Sequence, residues 1–364
     1  MSISFGQDYD DPWTLRPGMP GEAHSQPEAP ALRIETIESV EPLDTQLGVF
    51  PKRTVPDSLF DALFGQPDPS PTEIEAAGGD ASAVPSMQTF ALLDAAKVMN
   101  LPELLEDSGL EHRCLFKGDA YDEMKDVAPW VVRLEENNSF TRNLFTRSDA
   151  PWHLWDNEPG IYVRSRENLD CMWRHFRKFT RVRDESGKWY YFRFWEPEYA
   201  SRYFLVISND FPKKASAWFT VNHVSTSRIG IRCGREFTVF SPSNTTQDQD
   251  GSNCTFCYGQ PERDAHQWVK RRHFMTKLNR HLTNSSERFA LLEESKRHQF
   301  SRHLVKEAEK NGITIERAVA DYAMASILLW QDIGRLPEGQ EMLASNFNQV
   351  DKGKGLLRIA VSRK

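Results

Sequence analysis

Cysteines, histidines and clustered arginines are the residues whose spacing decides what chemistry this chain can do. Cys254-Thr255-Phe256-Cys257 is the one cysteine pair at metal-ligand spacing. A structural zinc needs four ligands, usually two such pairs or one pair with two histidines. No second pair exists, and His266 and His273 do not stand at the usual separation, so no metal is expected. Asp248-Gln249-Asp250-Gly251 begins like a calcium loop. It lacks an acid at the first position, however, and puts Cys257 where a glutamate belongs. The phosphate-binding G-x-x-x-x-G-K-S/T, the dinucleotide G-x-G-x-x-G, the zinc-protease H-E-x-x-H and the hydrolase G-x-S-x-G are all missing. No cofactor is expected. A hydrolase-like site assembled in space from dispersed His, Cys and carboxylates stays open as an alternative. Cys114 and Cys171 fall on apolar faces and read as buried structural thiols.

The basic residues gather toward the C-terminus, at Lys270-Arg271-Arg272-His273 and from Arg297-His298 to Arg302-His303. Such runs usually mark a solvated helix face. The alternatives are an acidic protein partner, the chain's own acidic end, or RNA. No nucleic-acid module accompanies them, so nucleic acid is not the expected partner. Trp268, Phe274 and Trp330, with Arg271 and Arg272, are the candidate contact residues of this region, since aromatics and arginine anchor interfaces. Trp and Phe at helical spacing also fit a core.

The elements that position these residues follow a division of charge. The 364 residues carry a net charge of −7. Residues 1–85 hold 15 acids against 4 bases and 12 of the 21 prolines, whereas residues 86–364 carry a net of +4. The expected organisation is therefore an acidic, proline-rich, largely disordered leader over 1–85. An α/β lobe over 86–210, a β-leaning insert over 211–260 and a helical lobe over 261–364 follow. The class is α+β. Within the leader, Leu59, Phe60, Leu63 and Phe64 form one apolar face of a short helix between Asp57 and Gly65. That helix either docks on its own domain or lies in a partner's groove. Deleting residues 1–85 is expected to leave the body folded. No apolar run reaches the length of a membrane span, and the acidic start is unlike a signal peptide. An odd cysteine count argues against a disulfide framework, so a cytoplasmic location is expected.

In the α/β lobe, strands are expected at 88–93, 112–116, 130–134 and 161–163, with helices at 101–108, 120–127 and 140–145. Leu169, Met172, Trp173, Phe176 and Phe179 form the apolar stripe of a helix capped by Ser165, with Arg174, Arg177, Lys178 and Arg181 largely off it. Residues 188–195 read as a central strand covered on both faces, followed by a helix from Pro197. Strands are expected at 217–224, 228–233 and 236–240, with a loop at 245–253. Helices then cover 267–282 and 287–310, a third is capped by Thr314, and residues 356–361 form an edge strand.

The ordered set Phe90-Ala91-Leu92-Leu93-Asp94, Cys114-Leu115-Phe116, Ala128 to Leu134, His175 to Phe179 and Phe192-Arg193-Phe194-Trp195-Glu196-Pro197 resembles the adaptor (effector-chaperone) family of the bacterial type VI secretion system. The resemblance covers roughly residues 88–205. It implies a non-enzymatic adaptor that binds a toxic effector and helps load it on the VgrG/PAAR spike. It further implies that the helical lobe grips the effector and the α/β lobe meets the spike, with no nucleic-acid or membrane partner.

Overall fold

The computed structural model describes residues 30–221, 224–225, 228–243 and 256–364. Strand β1 (Leu32–Ile37) precedes helices α1 (Asp57–Phe64) and α2 (Pro71–Ala76). Then come β2 (Gln88–Asp94), α3 (Leu101–Ser108), β3 (His112–Cys114), α4 (Asp119–Met124), β4 (Pro129–Leu134), α5 (Ser139–Phe145), β5 (Gly160–Ser165) and α6 (Leu169–Thr180). The hairpin β6 (Arg181–Asp184) and β7 (Trp189–Tyr191) leads to α7 (Pro197–Asp210) and α8 (Pro212–Phe219). Strands β8 (Thr220–Val221), β9 (Val224–Ser225), β10 (Arg228–Cys233), β11 (Glu236–Pro242) and β12 (Cys257–Tyr258) follow. Helices α9 (Gln260–Ser285), α10 (Glu287–Ala290), α11 (Glu294–Lys310), α12 (Glu316–Leu329), α13 (Pro337–Ala344) and α14 (Gln349–Arg363) complete the chain.

Seven strands form the main sheet in the order β1-β11-β10-β5-β2-β4-β3, antiparallel throughout. Its central strands are apolar on both faces, so helices must cover both. Phe90 and Leu92 point into one core with Phe176 of α6, Tyr203 of α7 and Trp218 of α8. Ala91 and Leu93 point into the opposite core with Leu59 of α1, Leu101 of α3 and Phe145 of α5. A third core lies among α9, α11, α12 and α14.

Several expectations are corrected. Residues 30–85 are not a disordered leader: β1 pairs with β11 along its whole length, and Leu59 and Leu63 are buried. Proline content misled, because prolines at turns and at the start of α2 are compatible with packed structure. Residues 1–29 lie outside the described residues. Removing residues 1–85 would strip an edge strand and the α1 face from the sheet, so an intact body after that deletion is no longer expected. Leu59→Ala is expected to lower stability by about 2–5 kcal/mol, the range for emptying a core site. Phe60→Ala, at an exposed position with only a ring contact to Phe64, is expected to lose about 0.5–1.5 kcal/mol. Urea unfolding of the two variants distinguishes a docked helix from a free one.

Residues 188–195 are not one central strand. Only Trp189–Tyr191 is extended, in a three-stranded side sheet ordered β12-β6-β7, while Phe192, Phe194 and Trp195 are buried in irregular backbone. Residues 217–219 are the end of α8, and β10 and β11 join the main sheet instead of an insert of their own. Asn168, not Ser165, caps α6: its Oδ1 accepts from Cys171 N at 2.9 Å. Thr314 does not cap α12, whose N-cap position is Ile315. Its amide and hydroxyl instead donate to Gln349 Oε1. Residues 356–361 belong to α14, because Leu356 and Ala360 repeat at helical spacing and pack on α12. Gly353 permits that approach, since a Cβ there would lie 2.9 Å from Ala318 Cα. The expected loop at 245–253, the Asp248 to Gly251 segment and Cys254 lie outside the described residues.

Candidate partner interface

The candidate contact residues fall into two groups. Leu59 and Leu63 are core residues and are not available to a partner's groove; Phe60 is exposed and Phe64 half-buried. On α9, Trp268 is half-buried against the sheet core, with the Arg202 and Arg272 guanidinium groups each 5.4 Å from its ring centre. Arg272 Nε meets Glu198 Oε1 of α7 at 3.0 Å, and His273 Nε2 meets Oε2 at 2.6 Å. Arg271 meets Glu309 of α11 at 2.9 Å. The adjacent arginines thus tie α9 to different helices. Phe274 and Trp330 pack on the helical core, with Arg288 4.0 Å from the Trp330 ring centre. These side chains join the lobes and brace the bundle; the structure does not assemble them into one exposed patch.

Of the two thiols read as buried, Cys114 is buried, whereas Cys171 is half-exposed. Burial pushes the Cys114 thiol up to about 11, so it is not a ready nucleophile. Among the described residues no group of three His, Cys, Asp or Glu is placed to hold a metal. His175 of α6 is buried, with Nε2 2.9 Å from the Trp218 carbonyl, and burial pulls its pKa down to about 4. A histidine depressed below its unfolded value stabilises the fold fully above about 6.5, and that contribution disappears as pH falls to about 4. The loss is expected to reach about 3 kcal/mol. Unfolding of the parent and of His175→Gln across this range checks it: the acid-dependent loss should shrink in the variant.

The segment Arg193 to Pro197 organises one end of the sheet. Arg193 donates to Asp94, the buried last residue of β2, and Asp94 Oδ1 in turn accepts from Ala96 N at 3.0 Å. Glu196 caps α7 by accepting from Tyr199 N at 2.8 Å, and Pro197 follows at the first helical position. Lys97 Nζ bridges Glu196 Oε1 and the Glu158 carbonyl, both at 3.2 Å. Phe194 and Trp195 are buried beside them. These charged groups therefore fix where α7 leaves the sheet.

Beside this frame lies an exposed face that sequence reasoning missed. In the hairpin β6–β7, Arg181 pairs with Tyr191 and Arg183 with Trp189. Alternation sends Val182 and Tyr190 inward and those four residues outward. Trp189 is 45% exposed and Tyr191 53%. The Arg181 and Arg183 guanidinium groups lie 4.7 and 4.3 Å from the Trp189 ring centre. Phe116 packs on Tyr191 at 5.4 Å between centroids. Next to it, Arg113 and Arg177 flank the Trp173 ring at 3.6 and 5.0 Å, and the Trp173 indole donates to the Cys114 carbonyl at 2.7 Å. The result is a cationic surface studded with aromatics, the composition that supplies interface anchors. Period-two alternation in Arg-Val-Arg and Trp-Tyr-Tyr was the available signal, hidden by reading the second segment as central.

Residues 89–210, about a third of the chain, match the family model DUF4123, described as a domain of unknown function. This is the type VI secretion effector-chaperone domain, so the resemblance read in the sequence holds over that segment. No curated protein and no solved structure matches the chain. No described helix is long and apolar enough to cross a membrane.

Proposed function

We propose that the chain is a non-catalytic adaptor that holds one toxic effector and delivers it to a VgrG or PAAR spike protein, a reading supported by the match of residues 89–210 to the type VI secretion effector-chaperone domain. The observation that carries this reading is the Arg181, Arg183, Trp189, Tyr191 face, which lies inside the matched segment and is exposed among the described residues. Stacked guanidinium groups pre-order a tryptophan that would otherwise lose freedom on binding. We assign this face to the spike protein and the helical lobe to the effector. The helical lobe leaves Leu291, Phe347 and Val361 exposed, apolar groups suited to a client surface. The test is secretion. Deleting the gene in a strain with an active type VI apparatus should abolish export of one effector while export of others continues. Unchanged export of every effector would remove this reading.

A further inference from the structure

The hairpin β6–β7 offers a main-chain edge as well as a side-chain face. β7 is the outer strand of the side sheet ordered β12-β6-β7. Hydrogen bonds at the two ends of the hairpin fix which of its backbone groups are used. Asp184 N donates to the Lys188 carbonyl and Phe192 N to the Thr180 carbonyl, both at 3.0 Å. In an antiparallel ladder, bonded and non-bonded residue pairs alternate. Val182 with Tyr190 is therefore the bonded pair between them, and Arg181 with Tyr191 and Arg183 with Trp189 are the non-bonded pairs. The N–H and C=O groups of Trp189 and Tyr191 thus point away from β6, toward the outer edge. Among the described residues these groups have no hydrogen-bond partner.

Two residues with outward main-chain groups, one strand repeat apart, form a template on which a further strand can add. The side chains beside this edge specify what such a strand carries. Residues paired with Trp189 and Tyr191 project on the same face of the sheet as those two rings. That face is exposed and carries the Arg181 and Arg183 guanidinium groups over Trp189, at 4.7 and 4.3 Å from its ring centre. Stacking on the ring holds each planar donor fork in place, and the fork matches the geometry of a carboxylate. On the other face Tyr190 is half-buried against the sheet core. β-branched apolar side chains fit such a half-buried, pleated surface.

We propose that β7 accepts an extended segment of the spike protein as an added antiparallel strand, with acidic side chains on the outer face and β-branched side chains on the inner one. The inference rests on the assignment of this face to the spike protein. It adds that recognition runs through the main chain of Trp189 and Tyr191, and that the segment alternates acidic and apolar residues. In antiparallel pairing each of these two residues exchanges both of its bonds with one residue opposite, and that residue is an outward-facing acid.

The test uses the full chain with two ligands, purified VgrG or PAAR protein and a labelled Glu-Val-Glu-Val-Glu-Val-Glu peptide followed by fluorescence anisotropy. Tyr191→Pro removes a donor from the open edge and no bond to β6, so the hairpin tolerates it. It should bind both ligands about tenfold more weakly than Tyr191→Ala, which loses the same ring but keeps the N–H. The peptide gives a second measurement that needs no variant. N-methylation of its glutamate amides, which face β7, should abolish binding, and N-methylation of its valine amides should leave binding unchanged. Equal spike affinity for Tyr191→Pro and Tyr191→Ala, both folded, overturns the inference and leaves the adaptor reading standing. Peptide binding with the expected methylation pattern, but no VgrG or PAAR protein bound by the parent, removes the spike protein from both. Equal binding of the two methylated peptides also overturns the inference. So does a dimer of the parent that Tyr191→Pro dissolves in sedimentation velocity, because a second copy would then cover the edge.

Discussion

Glu262→Ala is expected to destabilise the protein by about 3–5 kcal/mol, the range for breaking a buried ion pair by removing one partner. Glu262 is fully buried at the start of α9. Its carboxylate accepts from Lys214 Nζ of α8 at 2.7 and 2.8 Å, from the Tyr203 hydroxyl of α7 at 2.8 Å and from Gly259 N at 2.7 Å. One side chain thus joins three helices where the helical lobe leaves the sheet. Removing it strands a largely buried ammonium group, an N-terminal amide and a phenol that also accepts from the Trp218 indole at 3.2 Å. Burial first, and the Glu262 charge second, hold the Tyr203 phenol well above its ordinary range, so it stays protonated and donates to Glu262. Replacing Glu262 and Lys214 together by methionine should lose less than either single change, because no unpaired charge is left behind. Equilibrium unfolding in urea of the three variants reads this directly. A loss under about 1 kcal/mol for Glu262→Ala would show that the carboxylate is not the joint.

Trp189→Ala is expected to weaken binding to the spike protein by about 2 kcal/mol or more, roughly thirtyfold, the loss seen when a central aromatic anchor is truncated. Its midpoint of thermal unfolding should stay close to the parent's, since nearly half of the side chain is in solvent. Arg183→Glu should act in the same direction, by removing a stacked cation and inverting the local charge. Calorimetric titration with purified VgrG or PAAR protein gives the affinities. Equal affinity for Trp189→Ala and parent, with both folded, would move the spike contact elsewhere.

How far the fold could be read in advance depended on how local its signals were. The 3.6-residue stripe from Leu169 to Phe179 and the αL glycine at Gly109 stand where the spacing put them. So do the Val-rich run of β4 and the strands at 228–233 and 236–240, because each depends on residues within a few positions. The failures were non-local. Nothing near residues 32–37 announces that their partner is β11, some two hundred residues later. Phe192 and Phe194 are buried by an aromatic cluster around Trp218 and Phe256, so burial on both faces was mistaken for a central strand. Leu356 to Val361 is too short an apolar run for periodicity to separate helix from strand. For the interface, α7 supplies partners that no local signal announces: Arg202 against the half-buried Trp268, and Glu198 paired with the exposed Arg272. The exposed quartet on β6 and β7 depends on the hairpin register, which sets Arg181 beside Tyr191 and Arg183 beside Trp189.

The adaptor account is tested most directly by what the folded chain carries in the cell. An epitope-tagged full chain, isolated from a strain with an active type VI apparatus and examined by quantitative mass spectrometry, should enrich one toxic effector together with a VgrG or PAAR protein. The double variant Trp189→Ala, Arg183→Glu should keep the effector and lose the spike protein. Recovery of the intact, folded chain with neither kind of protein above an untagged control would contradict the account.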